Sequence, residues 1–417
     1  MKSFFVEGYG CSLNLSETEQ VAGFLKENNF EQIKDFKKAD FVIINTCSVK
    51  QVTEQRMLSR ICFLLEHKKS LSKLIVMGCL ASAQNETIQK ISKEIIVLGT
   101  SLALLCRVLG VKEKEFSPEI IPVKSHELIS IISISTGCLG NCAYCSSRLA
   151  RKNLHSYSVE SIKFAFKKAL ESGSKEIWIT SQDLGCYGFD INSSLPELLK
   201  ELLKNKGNFR IRLGMMNPNH FLKIRKELMQ LFSDERLYQF LHLPVQSGSD
   251  KVLKAMNRKY SVKDFVSCIE YARKIVPQIS ISTDIIVGFP GESEQDFKKS
   301  LDLVKKIRFD VVNVSRFGKR KGTLAEKMPN QLNELEKKER SRHLAEFFDK
   351  IALEKNKELV GREVLCLVSE KATNGFNGRT NEYKPVFLKK GFGYLVKAKL
   401  VLARAHFFEG EFLCLVE

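Results

Sequence analysis

The alternation of short apolar runs with amphipathic stretches predicts an α/β protein in three parts. These are an N-terminal parallel-sheet βαβ domain, a central partial (β/α)6 barrel and a small C-terminal antiparallel β-barrel. Three observations carry this reading. Four apolar runs separated by helical patterns fill the first hundred residues, the pattern restarts with six more, and the last sixty residues turn to β-branched and aromatic runs broken by Gly and Asn.

In the first part, "SFFVEGYGC", "DFVIINTC", "KLIVMGC" and "EIIVLGT" read as buried parallel strands, because both faces of such a sheet are covered and the runs need not alternate. The first helix is expected to open with a capping box, Ser16 with Glu19 three residues on, and to turn Val21, Phe24 and Leu25 inward. This domain is expected over residues 1–110. After a polar linker around "KEKEFSPEIIPVKSHE" come "ISIISIST", "EIWITS", "FRIRLGM", "FLHLPV", "ISISTDIIVGF" and "VVNVSRF". Helices separate them, as at 158–172, where Val159, Ile162, Phe166 and Leu170 recur at helical spacing. Six βα units suit an open barrel and not a closed eight-fold one, expected over 124–355.

Residues 331–357 form one long charged helix with an apolar stripe at Leu344, Phe347, Phe348 and Ile351, placed to bridge two domains. Residues 358–417, with "REVLCLVSE", "KPVFLKK" and "GYLVKAKLVLARAHFF", suit a small barrel.

The chain has 417 residues, 44% hydrophobic, enough for two or three cores, and disorder is excluded as its main character. No stretch of eighteen apolar residues occurs, and "MKSFFVEGYGC" lacks the sections of a secretory leader, so a cytoplasmic protein without a membrane partner is expected. In that reducing compartment twelve cysteines point to metal or redox chemistry and not to disulfides. A net charge of +18, from 66 Lys and Arg against 48 Asp and Glu, suits a polyanionic partner such as nucleic acid.

Cys138, Cys142 and Cys145 stand in "STGCLGNCAYC", directly after the first strand of the six-unit region. A structural zinc site wants four protein ligands, whereas a four-iron cluster held by three thiolates keeps one iron open. That iron can accept the amino and carboxylate groups of S-adenosylmethionine (SAM), whose reductive cleavage yields a 5'-deoxyadenosyl radical. Cys11, Cys47 and Cys79 repeat the arithmetic, each at the carboxyl end of an expected strand, where parallel sheets form one crevice.

With these motifs the chain resembles the radical SAM methylthiotransferases from end to end. The stretches "WITSQDLGCYGFD", "RLGMMNPNH", "LHLPVQSGSD" and "TDIIVGFPGE" resemble the archaeal and eukaryotic branch acting on N6-threonylcarbamoyladenosine in tRNA. The resemblance implies two [4Fe-4S] clusters with SAM, a sulfur station at the N-terminal cluster, and a C-terminal TRAM RNA-binding domain. It also implies the product 2-methylthio-N6-threonylcarbamoyladenosine at position 37 of tRNA. A tRNA partner, an electron donor and a sulfur source follow, and a monomer is expected. Two other substrates fit the wider family, isopentenyladenosine in tRNA and an aspartate of a ribosomal protein. A non-catalytic iron–sulfur RNA-binding protein is the alternative outside it.

Barrel strands present chemistry at their C-terminal ends, so Gln182, Asp183 and Gln246 are expected to face SAM. Arg212, His242 and Asp284 lie within strands, and either bind SAM or substrate or pair with one another. Gly288 and Gly291 are expected to let backbone approach the adenine. Cys186 stands in an active-site loop where related sequences carry a small residue. Arg316, Lys319, Arg320 and Lys321 make a basic turn suited to phosphate.

Overall fold

The computed structural model describes residues 1–48 and 51–416 and divides into two compact units. The first comprises residues 1–125, 131–168 and 318–327; the second comprises 126–130, 169–317 and 328–417.

The first unit opens with β1 (Ser3–Gly8), α1 (Ser12–Glu27), β2 (Glu31–Gln32), β3 (Phe41–Thr46), α2 (Gln51–His67) and β4 (Lys73–Gly78). It continues with α3 (Cys79–Ala83), α4 (Asn85–Gln89), β5 (Ile96–Gly99) and α5 (Leu102–Leu109). The sheet runs β2-β1-β3-β4-β5, all pairs parallel. The two-residue edge strand β2, charged and exposed, carries no apolar signal and was not expected. Alternate residues of β3 and β4 serve opposite faces. Phe41, Ile43 and Ile75 pack with Phe24 and Leu25 of α1, while Val42, Ile44, Leu74 and Val76 pack with Met57, Ile61 and Leu64 of α2. Each buried Phe or Leu contributes about 1.5–3 kcal/mol, which explains why these runs are continuously apolar.

The expected capping box does not form. Helix α1 begins five residues earlier, with Cys11 at the cap position and no side-chain cap. Ser16 lies inside the helix and donates to Ile131 O at 3.0 Å, while Glu19 accepts from Ser125 N at 2.8 Å. Both side chains satisfy backbone groups of distant segments, which local spacing cannot reveal. After the linker come β6 (Ile129–Ser133), β7 (Ser135–Thr136), α6 (Ser147–Ala150), β8 (His155–Ser156) and α7 (Val159–Glu171).

The second unit continues with β9 (Glu176–Thr180), α8 (Leu195–Leu202), β10 (Arg210–Leu213), α9 (Pro218–Gln230), β11 (Phe240–His242), α10 (Asp250–Ala255) and α11 (Val262–Ile275). Then follow β12 (Ser280–Val287), α12 (Glu294–Ile307), β13 (Val311–Arg316) and α13 (Glu334–Lys357). Lys175 N donates to Leu128 O at 2.9 Å, so β9 lies beside the start of β6. Parallel pairing runs on from β9 to β10 and through β11-β12-β13, with β10 and β11 joined by the bridges Ile211↔Leu237 and Met215↔His242. Among the described residues no pairing closes β13 onto β6, which suits an open array of six units.

Helix α13 buries Leu344, Phe348 and Ile351, with Phe347 half-buried. It ties the strands to the C-terminal barrel: Asp310 takes Lys355 at 2.8 Å and Lys384 at 2.7 Å, and Asn356 donates to Arg404 O at 2.9 Å. That barrel comprises β14 (Glu363–Ala372), β15 (Gly375–Thr380), β16 (Pro385–Leu388), β17 (Leu395–Ala403) and β18 (Phe408–Leu415). It closes in the order β14-β15-β16-β18-β17. One closing pair, β16 with β18, is parallel, which departs from an all-antiparallel expectation. Strand β15, "GFNGRT", is too polar and glycine-rich to signal itself and is held by its neighbours on both sides.

Candidate active site

Strands β1, β3 and β4 are neighbours, and the segments leaving their carboxyl ends carry Cys11, Cys47 and Cys79. Gly10 lets two of these segments touch: a Cβ there would stand 2.5 Å from Cys47 Sγ, and its φ of +106° suits glycine. Asn14, one turn into α1, laces the crevice. Its amide donates to Tyr9 O at 3.1 Å and Thr46 O at 2.9 Å, and its Oδ1 lies 3.8 Å from Cys79 Sγ. Arg151, only 7% exposed, reaches the same Oδ1 at 3.4 Å and forks onto Glu17 at 2.5 Å. Burial pushes the Cys79 thiol up to about 11, and Arg151 pulls against that rise.

The second set sits on the loop after β7. Gly137 turns it with φ +74°, and Gly140 N donates to Cys138 Sγ at 3.1 Å. Cys145 N returns to Cys142 O at 3.2 Å. Burial raises the Cys145 thiol, and the nearby Cys142 and Cys138 add to it. Cysteine thiols give up their protons on binding a metal, so both donor sets suit a cluster with three protein ligands.

The two sets lie close together within the first unit. Ser146, beside Cys145, donates to Ser48 O, beside Cys47, at 3.1 Å, and α3 packs on α6.

In the second unit His242 Nε2 meets Asp284 Oδ1 at 3.0 Å, and Asn313 Nδ2 donates to the same oxygen at 2.8 Å. Pairing within the strands is therefore realised for His242 and Asp284. Arg212 instead lies 5.7 Å from the rings of Trp178 and Phe240 and 5.8 Å from that of Tyr383, with its buried Nε unpartnered. Gln182 Oε1 and Gln246 Oε1 are likewise buried without partners among the described residues, and Gln246 is held at φ +70°. Such orphaned acceptors mark where a ligand's donors fit.

Asp183 departs from expectation. It is 1% exposed; Oδ1 accepts from Gly185 N at 3.0 Å and Asn217 N at 2.9 Å, and Oδ2 meets His220 Nδ1 at 2.6 Å. Both oxygens are committed to the chain, so Asp183 shapes the loop instead of facing a cofactor. Cys186 Sγ lies 3.2 Å from Asp183 O, completing a buried Asp183–Cys186–His220 group whose donor atoms fall within 4.8 Å of one another. Gly288 departs too: a Cβ there would stand 2.4 Å from Lys337 Cγ, so its space belongs to α13 and not to an adenine. Gly291 opens onto free space at φ +77°. In the basic turn Arg320 pairs with Glu54 at 2.7 Å and Lys321 with Glu86 at 2.9 Å, so these two charges are spent within the first unit. Lys319 and Arg316 remain exposed. Asn14, Glu17, Arg151 and Asn313 carry no periodic or spacing signal and become visible only through the fold.

Residues 132–304 match the Radical SAM superfamily, and residues 3–99 match the uncharacterized protein family UPF0004. A probable threonylcarbamoyladenosine tRNA methylthiotransferase of Pyrococcus horikoshii is 38% identical over 99% of this chain and 100% of its own. The threonylcarbamoyladenosine tRNA methylthiotransferase of Homo sapiens is 32% identical over 99% of this chain and 74% of its own. This chain belongs to the threonylcarbamoyladenosine tRNA methylthiotransferase family. Among solved structures, the radical S-adenosylmethionine methyltransferase TsrM from Kitasatospora setae aligns with a TM-score of 0.58 at 12% identity, over 78% of this chain and 77% of its own. That likeness shows the fold. The family's radical SAM match begins within β6 and takes in the Cys138–Cys145 loop, while the UPF0004 match spans the sheet that bears Cys11, Cys47 and Cys79. No helix among the described residues is long and apolar enough to cross a membrane.

Proposed function

We propose that this methylthiotransferase converts N6-threonylcarbamoyladenosine at position 37 of tRNA to its 2-methylthio derivative. What supports the proposal is that the segments bearing the two cysteine sets belong to one compact unit and are tied to each other where Ser146, beside Cys145, donates to Ser48 O, beside Cys47. In this reading Cys138, Cys142 and Cys145 hold one [4Fe-4S] cluster, and Cys11, Cys47 and Cys79 hold the other. The cluster that Cys138, Cys142 and Cys145 would hold would supply, with one iron open to SAM, the electron for reductive SAM cleavage and so the radical chemistry that an aromatic carbon–hydrogen bond needs.

The chain's own residues do the rest. Gln182 and Gln246 offer their orphaned oxygens to the donors of SAM, while His242, Asp284 and Asn313 present a connected polar edge. Arg212 offers a cation to a carboxylate. Asp183 and His220 hold the Gln182 loop in place. Residues 1–110 serve as the N-terminal methylthiotransferase domain, 124–355 as the radical SAM core and 358–417 as the TRAM domain. That last domain carries nine Lys and Arg against seven Asp and Glu, so its RNA contacts rest on shape as much as charge. A low-potential electron donor and a sulfur source complete the reaction, which a tRNA substrate locates in the cytoplasm; the chain acts as a monomer.

Anaerobic reconstitution should give about eight irons per chain, falling to about four in Cys11→Ala. Nucleosides from a strain lacking the gene should lose 2-methylthio-N6-threonylcarbamoyladenosine. Loss of the methylthio group from isopentenyladenosine instead would reject the substrate, and four irons in the unmutated chain would reject the paired sites.

A further inference from the structure

We propose that Arg151 is a positioning residue of the dispersed cysteine site: it fixes Cys79 through Asn14 and makes an iron–sulfur cluster held there easier to reduce. This rests on the reading of Cys11, Cys47 and Cys79 as cluster ligands.

Arg151 comes from the segment just after the contiguous cysteines, yet its guanidinium ends in the dispersed crevice. Its side chain is 4% exposed and that of its partner Glu17 is 3% exposed. Two bonds join Arg151 to Glu17, and one nitrogen also reaches Asn14 Oδ1 at 3.4 Å, the same oxygen that faces Cys79 Sγ at 3.8 Å. The Nε has no acceptor and is fully enclosed. A buried guanidinium with an unused donor is costly, and an ion pair made only for stability would more cheaply be two apolar residues. Its placement makes sense where it compensates a negative group.

The direction of the effect follows from charge. When one electron enters such a cluster from a low-potential donor, no bond forms or breaks and the site becomes one unit more negative. A nearby positive charge in a low-dielectric setting favours that state. Glu17 opposes it, but the Arg151 nitrogen that bonds Glu17 also reaches Asn14 Oδ1, the oxygen facing Cys79 Sγ, so the guanidinium lies on the cysteine side of the carboxylate. The pair therefore acts as an oriented dipole with its positive end toward the cysteines. The fork also clamps α1, which bears Asn14 and Glu17 one turn apart and has Cys11 at its cap.

The test uses the full chain with Cys138, Cys142 and Cys145 changed to Ala, so that the dispersed site alone binds iron, with reduction followed by electron paramagnetic resonance in dithionite-poised samples. Arg151→Met should shift the midpoint to more negative potential, leaving an about tenfold smaller ratio of reduced to oxidised cluster at the parent's midpoint. Arg151→Lys keeps the charge and should stay near the parent. Where Arg151→Met leaves Glu17 buried and fails to fold, the double variant Glu17→Gln/Arg151→Met decides, with a shift of the same sign and smaller size. Bound iron with one midpoint in all variants, or a Lys variant shifted as far as Met, overturns the role of Arg151 and leaves the ligand reading intact. A parent chain that binds no iron overturns both.

Discussion

The contiguous cysteines and the dispersed ones reach similar ends by opposite routes. Cys138, Cys142 and Cys145 lie on a single loop, half-buried, and are shaped by contacts within a few residues, such as Gly140 N to Cys138 Sγ. The segments bearing Cys11, Cys47 and Cys79 are neighbours only because β1, β3 and β4 are adjacent, and Asn14, Glu17 and Arg151 beside them are nearly sealed from water. The loop site depends on a local backbone path, and the crevice site on the whole sheet. Disturbances of the sheet should therefore empty the second while sparing the first, and a strained turn should do the reverse.

The largest expected effect comes from breaking the loop at Gly137. Its φ is +74°, and a Cβ there would stand 1.7 Å from Asn153 O and 2.4 Å from the carbonyl carbon. Backbone cannot yield as a side chain can, so Gly137→Ala should displace the loop and cost about 3 kcal/mol or more. Reductive SAM cleavage should vanish and about half the iron with it. Iron analysis and a cleavage assay check this, and full iron with normal cleavage would contradict the local route. Gly10→Ala is the mirror case, since its Cβ would meet Cys47 Sγ at 2.5 Å and should unload the crevice instead.

Asn14→Ala should have an intermediate effect. It leaves Tyr9 O and Thr46 O without their donors and removes the acceptor shared by Arg151 and Cys79. Orphaned buried carbonyls cost about 1–3 kcal/mol, and the crevice loses the residue that laces its walls. The expected outcome is a lower melting temperature and loss of iron from the dispersed site, with SAM cleavage retained at the loop. Simultaneous loss of both activities would show that the two sites are one cooperative structure.

The contrast also explains what the sequence revealed. Strands β3, β4 and β12 are legible as apolar runs because both faces are covered, and the loop cysteines are legible because eight positions hold all three. Cys11, Cys47 and Cys79 are legible as a set only once each is placed at a strand end. The network around them was not legible, since Arg151 and Asn14 are 137 positions apart and only the fold joins them. Asp183 shows a related limit of sequence: a carboxylate after a strand looks like a ligand for a cofactor, and only the fold shows that it bonds His220 and two backbone amides, supplied by the start of α9 and its own turn.

The smallest effect distinguishes a local from a distant tie. Ser16 and Glu19 have the spacing of a helix-capping pair, yet Ser16 donates to Ile131 O at 3.0 Å and is 1% exposed. It thereby pins the cysteine-capped helix α1 to β6, the strand that precedes the contiguous cysteines. Ser16→Ala removes one donor from a buried carbonyl, costing about 1 kcal/mol. Hydrogen exchange locates the damage. With a distant tie, protection should fall on both sides of the contact, in the middle of α1 and along Ile131–Ser133, while the amides of the first turn near Cys11 stay as they were. If protection is lost at the helix start alone, Ser16 works as a cap and the two cysteine sites lack this link.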